Sequence, residues 1–224
     1  MGVKEDLICT MSESANNNIQ EAYNRWAEFY DSNKNKTRDT EAIALREMLS
    51  GRYFDKCLEI GCGTGKNTFF LAQIAKIVTA VDFSEEMLAK AQLKILSKNV
   101  TFKKADINES WHFIDGIYDL VTFSLVLEHI ENLNTIFKKV ETVTTQGSVV
   151  YIGELHPFKQ YTGTKARFET MSGTETLTCF DHNISEFITA ASASGFVLEA
   201  LSEYADDDSA TPIPRILSMT FIKQ

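Results

Sequence analysis

Short apolar runs alternate with longer amphipathic segments along most of the chain. The runs that predict β-strands cover residues 56–60, 77–82, 100–104, 118–123, 148–153, 196–204 and 215–223. Between them, apolar residues at helical spacing predict helices at residues 37–49, 68–75, 84–97, 133–143 and 184–194. Nearly continuous apolar strands that alternate with helices are typical of a parallel sheet covered on both faces. We therefore predict an α/β fold.

Two stretches depart from this alternation. Residues 16–36 combine polar and aromatic side chains at helical spacing, which predicts an amphipathic helix followed by a loop. Residues 155–180 contain a proline, several aromatic residues and glycines, and the segments 167–170 and 175–179 predict a β-hairpin. Both stretches are predicted to lie outside the regular part of the sheet.

The first predicted strand ends in Glu59-Ile60-Gly61-Cys62-Gly63-Thr64-Gly65, an acid followed by three alternating glycines. Glycine tolerates a positive φ and has no Cβ, so such a loop brings bare backbone close to a ligand. The second strand ends in Asp82. An acid about 20 residues beyond a glycine loop binds ribose hydroxyls in Rossmann-type sites. Together these segments predict a site for a nucleoside-containing cofactor.

Two phosphate-binding patterns fit this loop poorly. The dinucleotide pattern has its third glycine at the sixth position of the loop, where this chain has Lys66. The P-loop pattern requires a glycine and a hydroxyl residue where this chain has Ile60 and Asn67. A nicotinamide-dependent oxidoreductase and a non-catalytic binding module stay open as alternative functions.

Four segments resemble the class I S-adenosylmethionine-dependent methyltransferases, and among them the broad type 11 group that acts on small molecules. They are the glycine loop, Val81-Asp82-Phe83-Ser84-Glu85-Glu86-Met87-Leu88, Ala105-Asp106-Ile107 and Ser124-Leu125-Val126-Leu127-Glu128-His129-Ile130. The resemblance covers roughly residues 50–155. It implies a Rossmann-like sheet of seven mostly parallel strands, with helices on both faces and the last strand antiparallel. It also implies an N-terminal helical cap and a hairpin-containing insertion after strand five.

The resemblance implies one domain spanning residues 1–224. We divide it into N-terminal cap helices (1–50), a cofactor-binding core (51–154), a lid or insertion (155–182) and the C-terminal part of the sheet (183–224).

The cofactor implied by the resemblance is S-adenosylmethionine, which has an adenine, a ribose, a sulfonium and an amino acid end but no phosphate. We expect Glu59 to meet the ammonium group and Asp82 to accept hydrogen bonds from both ribose hydroxyls, because an ionised carboxylate only accepts. The full expected set is Tyr23, Tyr30, Glu59, Gly61, Gly63, Gly65, Asp82, Phe83, Met87, Asp106, Ile107 and Ser124.

Three groups within this set have more specific expected roles. Phe83, Met87 and Ile107 would pack on the adenine, although core packing explains the first two equally well. Asp106 would accept from the exocyclic amine of the base. The tyrosines come from the cap helix, where an aromatic ring face would attract a sulfonium.

Ligands of open α/β sheets bind beyond the carboxyl ends of the strands, so the methyl acceptor should lie near the loops after strands four and five. His156 directly follows strand five and is the candidate base or acceptor-orienting residue, although hydrogen bonding to the backbone explains it equally well. The expected substrate-binding residues are His129, His156, Lys159, Tyr161 and Arg167. A structural role is the stronger alternative for His129, and a solvated surface explains the last three.

The predicted function is methyl transfer to an oxygen or nitrogen atom of a small molecule, with release of S-adenosylhomocysteine. A net charge of −9, from 22 basic and 31 acidic residues, disfavours nucleic acid and anionic membranes as partners. The four cysteines form no Cys-x-x-Cys pair and show no metal spacing with the four histidines, so we expect no metal and a reducing cytoplasm. The sequence does not distinguish a monomer from a homodimer.

Overall fold

The computed structural model describes residues 19–163, 167–170, 173–176, 179–205 and 213–224. Its strands are β1 (Phe54–Ile60), β2 (Ala75–Asp82), β3 (Val100–Lys104), β4 (Tyr118–Ser124), β5 (Thr144–Leu155), β6 (Arg167–Thr170), β7 (Gly173–Thr176), β8 (Phe196–Ala205) and β9 (Pro214–Lys223). Its helices are α1 (19–26), α2 (Lys36–Met48), α3 (Thr68–Ile74), α4 (Glu85–Lys94), α5 (Leu133–Thr142), α6 (Pro157–Tyr161) and α7 (Ile184–Ala193), with a 3₁₀ turn at Leu127–His129.

Seven strands form one sheet in the order β3-β2-β1-β4-β5-β9-β8. The neighbours from β3 to β5 pair in parallel, whereas β9 pairs antiparallel with both β5 and β8. This arrangement confirms the predicted α/β fold with an antiparallel last strand. Because the order reverses between β1 and β4, the loops that leave these two strands diverge and open a crevice at their carboxyl ends.

The predicted hairpin is present after β5, but its second strand begins earlier than expected. β6 and β7 pair antiparallel from Arg167↔Thr176 to Thr170↔Gly173, so the connecting turn is shorter than the four residues that we assigned to it. The prediction of a strand at 175–179 was therefore wrong at its start. The cause is physical: hairpin register follows the turn type, and this turn type is not legible in the sequence.

Alternate residues of the central strands point to opposite faces of the sheet, and helices cover both faces. On one face, Leu58 and Ile60 of β1 join a buried core that includes Phe137 of α5 and Phe187 of α7. On the other face, Cys57 joins a core with residues of α2, α3 and β5. Glu59 has the same parity as Cys57, so its side chain projects toward the face that α2 and α3 cover.

Helix starts were predicted more accurately than helix ends. Ser84 caps α4 as expected, since its hydroxyl accepts a hydrogen bond from the Met87 amide over 3.2 Å. The helix ends at Lys94, before the predicted residue 97. The long predicted N-terminal helix is helical over 19–26 within the described residues and continues as turns.

Candidate functional site

A cleft lies at the carboxyl ends of β1, β2 and β4, between their loops and α1. It encloses about 760 Å³ of space between the atoms, part of it open to solvent. Nine residues of the expected cofactor set line it, and these are Tyr23, Tyr30, Gly61, Gly63, Asp82, Phe83, Asp106, Ile107 and Ser124. The structure thus brings together side chains that are up to about one hundred residues apart in the chain.

The glycine loop folds back on the end of β2. The amides of Gly61 and Cys62 both donate to the Val81 carbonyl, over 2.9 and 3.0 Å. A Cβ at Gly61 would lie 2.1 Å from Val126 Cγ2, so the loop after β4 packs directly against it. Gly65 has a different role from the other two glycines, because a Cβ there would meet Ile95 and Ala91 rather than the cleft.

Asp82 joins the glycine loop to the start of α4. Its two carboxylate oxygens accept hydrogen bonds from the amides of Gly63 and Ser84, over 2.8 and 2.9 Å. Burial raises the pKa of Asp82 to about 6, against the lowering effect of these amides. Each oxygen keeps a lone pair for a further donor, so the side chain suits a pair of hydroxyl groups.

The residues that we expected around the adenine line the cleft only in part. Asp106 Oδ1 accepts from the Asn108 amide over 2.8 Å, and Ile107 is buried beside it at the cleft wall. Phe83 lies at the opposite wall, with its carbonyl accepting from Gln20 Nε2 over 2.5 Å. Met87 does not line the cleft and is 1% exposed, because it points from α4 into the interior. The alternative of core packing therefore describes Met87.

A smaller polar chamber adjoins the cleft and shares Tyr30, the glycine loop and Ser124 with it. It encloses about 420 Å³. Glu59 lines this chamber, where its Oε2 accepts from Thr68 Oγ1 over 2.6 Å. Burial, together with the nearby carboxylates of Glu41 and Asp82, raises the pKa of Glu59 to about 8. Glu59 is therefore a buried acid near the end of β1 that lines the polar chamber.

The expected set omitted several residues that line the chamber, and two of them lie on α2. Arg38 lies 3.9 Å above the Tyr30 ring and donates to the Tyr30 carbonyl over 2.6 Å. Glu41 is 2% exposed although it is charged. A signal for Glu41 was available, because it is four residues before Leu45 and eight before Leu49, on the apolar stripe of the helix.

Tyr23 and His129 are in direct contact at the lining of the cleft. The Tyr23 hydroxyl and His129 Nε2 are 3.0 Å apart, and the rings meet edge to face at 5.7 Å. Burial raises the pKa of Tyr23 well above its ordinary value, so this hydroxyl stays protonated at neutral pH. Tyr23 also packs against Phe83 at 5.8 Å. This pair is the polar feature of the cleft on the side of α1.

The backbone of the loop that carries His129 is hydrogen-bonded to Glu154, a residue that was not predicted from the sequence. Glu154 Oε1 accepts from the amides of Val126 and Leu127, over 2.9 and 2.8 Å. Leu125, just before them, has a φ of 57°, which is unusual for a residue other than glycine. Burial and the nearby Glu128 carboxylate raise the pKa of Glu154 to about 8.

His156 lies outside the cleft, contrary to the prediction of a catalytic base. Its Nδ1 accepts from the Phe158 amide over 3.1 Å and caps α6, while Nε2 lies 2.8 Å from Glu203 Oε1 on β8. Both ring nitrogens are thus engaged away from the ligand space. The cause is the antiparallel β9, which pairs with β5 through Leu155 and directs the following residue away from the crevice.

The other predicted substrate residues are not gathered at the cleft. Lys159 lies on α6 and does not line it. Tyr161 is 58% exposed, and its hydroxyl donates to Asn183. The backbone of Arg167 begins β6, and its side chain is outside the described part of the structure. Among the five predicted acceptor residues, His129 is the one at the cleft lining.

Three features of the described residues limit the ligand. The lining of the larger cleft includes no lysine or arginine from the described segments, so it offers a pyrophosphate no cationic side chain. Over the same segments, no cluster of histidine, cysteine, aspartate and glutamate side chains could hold a metal ion. No helix within the described ranges is long and apolar enough to span a membrane.

The chain is similar in sequence to known methyltransferases. Residues 58–152 match a family model described as a methyltransferase domain. The chain is 31% identical over 131 residues to a malonyl-[acyl-carrier protein] O-methyltransferase of Bacillus cereus, a match that covers 54% of this chain and 46% of that enzyme. The chain thus spans about half the length of this curated relative.

Two solved structures share the fold. A complex named DhpI-SAH has a TM-score of 0.73 at 24% identity, covering 95% of this chain and 96% of the other. The N-methyltransferase NodS from Bradyrhizobium japonicum, in complex with S-adenosyl-L-homocysteine, has a TM-score of 0.69 at 16% identity, covering 91% and 97%. At these identities the likeness establishes the arrangement of the sheet and not the substrate.

Proposed function

Because the chain belongs to the class I S-adenosylmethionine-dependent methyltransferases, we propose that it transfers a methyl group to an oxygen or nitrogen atom of a small molecule. S-adenosylmethionine is the cofactor of this family, and S-adenosylhomocysteine would be the second product. The names of the relatives support both acceptor atoms, since one is an O-methyltransferase and another is an N-methyltransferase. The acceptor itself is a small molecule in this proposal.

The observation that carries the proposal is the hydrogen bond between the glycine loop and Asp82. The Gly63 amide donates to Asp82 Oδ2 over 2.8 Å, so bare backbone and a hydroxyl acceptor meet at the floor of one cleft. A ligand with a ribose fits this arrangement, because each hydroxyl of the ribose can donate to Asp82. The loop has Lys66 where the dinucleotide pattern has its third glycine, which favours an adenosyl group over a dinucleotide.

Each part of the donor has a proposed set of holding residues. Asp82 would bind the ribose, and Glu59 in the polar chamber would bind the amino acid end. Asp106 and Ile107 would hold the adenine. The sulfonium supplies an electrophilic methyl group when the cofactor is bound. The contribution of the chain is mainly alignment, which is worth up to about 7–11 kcal/mol in favourable cases.

We assign the acceptor side of the cleft to Tyr23 and His129 instead of His156. Their polar atoms are 3.0 Å apart, and both residues line the space, so they can orient an acceptor hydroxyl or amine. That residues 155–182 form a lid, within one domain spanning 1–224, stays a prediction.

Calorimetric titration with S-adenosylhomocysteine tests the donor site, and a parallel titration with NAD tests the rival oxidoreductase. We expect heat from the first titration and none from the second. The acceptor is then sought by incubating the protein with S-adenosylmethionine and a panel of small hydroxy and amino compounds, and measuring S-adenosylhomocysteine release. Tight NAD binding without an S-adenosylhomocysteine signal would contradict the proposal. Donor binding without turnover on any compound would favour the non-catalytic module.

A further inference from the structure

Glu41 is a buried acid that the proposed chemistry does not use. It comes from α2 and reaches the sheet face that also carries Glu59. Its Oε1 accepts from the Tyr151 hydroxyl of β5 over 3.1 Å, and its Oε2 accepts from Asn67 Nδ2 over 2.8 Å. The Ser124 hydroxyl is a further donor to this carboxylate. These contacts fix Glu41 at the wall of the polar chamber.

The chamber therefore holds two carboxylates but lacks a cation bound to either. No ion pair among the described residues involves Glu41 or Glu59. The two basic residues of the chamber are engaged elsewhere: Lys66 pairs with Asp39, and Arg38 stacks on Tyr30. Buried acids are almost always compensated by a cation or a proton. Among the described residues no cation is in ion-pair contact with either acid, and the charge of Lys66 acts on Glu41 only from a distance.

A third acceptor belongs to a residue that lines the same chamber. Asn67 is 8% exposed, and its Oδ1 is buried without a hydrogen-bond partner. Its amide nitrogen is held by Glu41, which fixes the direction of the oxygen. An unpartnered buried acceptor is costly, and it is expected where a ligand supplies the donor. Asn67 thus points to a ligand independently of the two acids.

Three acceptors match the three N–H bonds of a primary ammonium group. Glu59 has Oε1 available, because Thr68 occupies only Oε2. Three donors occupy three of the roughly four acceptor sites of the Glu41 carboxylate, which leaves one, and Asn67 Oδ1 has no partner. A charged donor of this kind would satisfy the orphaned oxygen and compensate the buried charge at once.

We infer that Glu41, together with Asn67 and Glu59, recognises the α-ammonium group of the methyl donor and of S-adenosylhomocysteine. This inference rests on the proposed function and adds to it a positioning residue from the cap. Glu41 reaches the ligand from α2, so donor recognition also requires that this helix be docked on the sheet. The site selects a nucleoside that carries a primary amine at its far end.

The test compares three ligands by calorimetry. S-adenosylhomocysteine carries the ammonium group, its deaminated analogue has hydrogen in that place, and 5′-methylthioadenosine lacks the whole amino acid part. The variants are Glu41→Gln and, as a matched control on the exposed side of the same helix, Glu47→Gln. Circular dichroism and the melting temperature verify that each variant is folded.

We expect Glu41→Gln to weaken S-adenosylhomocysteine binding roughly 10- to 100-fold, the usual effect of a lost hydrogen bond to a charged group. Binding of 5′-methylthioadenosine and of the deaminated analogue should stay unchanged, and Glu47→Gln should behave as the wild type does. Equal affinity of wild type and Glu41→Gln for S-adenosylhomocysteine would overturn the inference. An equal loss for all three ligands would also overturn it, because it would indicate a general disturbance of the cleft.

The wild-type protein alone gives a second measurement in case Glu41→Gln does not fold. It should bind S-adenosylhomocysteine at least 10-fold more tightly than the deaminated analogue. Equal binding of these two ligands would overturn the ammonium inference and leave the proposed function intact. If the wild type binds neither S-adenosylhomocysteine nor 5′-methylthioadenosine, the proposed function itself fails.

Discussion

The structure predicts that Gly61→Ala lowers the free energy of unfolding through two separate effects. The φ of Gly61 is 72°, and the new Cβ would lie 2.1 Å from Val126 Cγ2. The left-handed backbone costs a residue with a Cβ about 1–2 kcal/mol. Overpacking adds about 1–3 kcal/mol, since valine is β-branched and rotates poorly away from a clash. The total of about 2–5 kcal/mol is a large part of the stability of a typical domain.

A second glycine separates the two costs. Gly147 has a φ of 84° and nothing within 4 Å of an added Cβ, so Gly147→Ala carries only the backbone cost. The free energies of unfolding of both variants can be measured by urea denaturation, with equal m-values as the condition for comparison. We expect Gly61→Ala to be less stable than Gly147→Ala by about 1–3 kcal/mol.

A double mutant identifies the atom responsible. Val126→Ala removes the methyl group that the new Cβ would strike, so Gly61→Ala should cost less in that background, by about 1–3 kcal/mol of coupling. The reasoning would be refuted if Gly61→Ala were as stable as Gly147→Ala. It would be refuted equally if the cost of Gly61→Ala were the same with valine or alanine at position 126.

Three further predictions concern the acids and the histidine outside the cleft. Asp82→Asn should lower S-adenosylhomocysteine affinity roughly 100-fold in calorimetry. The NH₂ group of the new asparagine cannot accept a hydrogen bond, so either the Gly63 or the Ser84 amide loses its acceptor. Unchanged affinity would contradict the placement of the ribose. The pKa of Glu154 is raised to about 8 from 4.5, so its contribution to stability is present below pH 4.5 and is lost as the pH rises through 8. Glutamine mimics the protonated acid, and the melting temperature of Glu154→Gln should fall less between pH 6 and 9 than that of the wild type; parallel curves would contradict this. His156→Ala should cost about 1 kcal/mol of unfolding free energy through the lost helix cap, with S-adenosylhomocysteine affinity unchanged. A tenfold loss of affinity in the folded variant would return His156 to the site.

Strands and helices of this chain were largely predictable, because burial imposes a period on each element. The strand at Val100–Lys104 was predicted to the residue, and the sheet strand β1 began two residues before its predicted start. The clearest errors are in β5, which begins at Thr144 and not at 148, and in the start of β7. Both depend on pairing with a neighbouring strand, which the local pattern of apolar residues does not record.

The cleft was predictable to the extent that its parts are local. Gly61 and Gly63 belong to one loop, and Asp82 ends the next strand. Parallel pairing of β1 with β2 brings Ile60 opposite Val81, so the acid meets the loop without any further information. Gly65 and Met87 belong to the same motifs but do not line the cleft, since Gly65 packs against α4 and Met87 points from α4 into the interior.

The sequence by itself determined the alternation of strands and helices, the parallel part of the sheet and the floor of the cleft, whereas the antiparallel last strand was implied by the family resemblance. Only the tertiary structure decided which histidine faces that cleft and which acid stands beside Glu59. His156 is adjacent to the site along the chain but is directed away from it, whereas Glu41 is distant along the chain and lies in the chamber. The physical reason is that periodic burial fixes a residue's face on its own element, whereas contact between elements depends on where a helix such as α2 docks on the sheet.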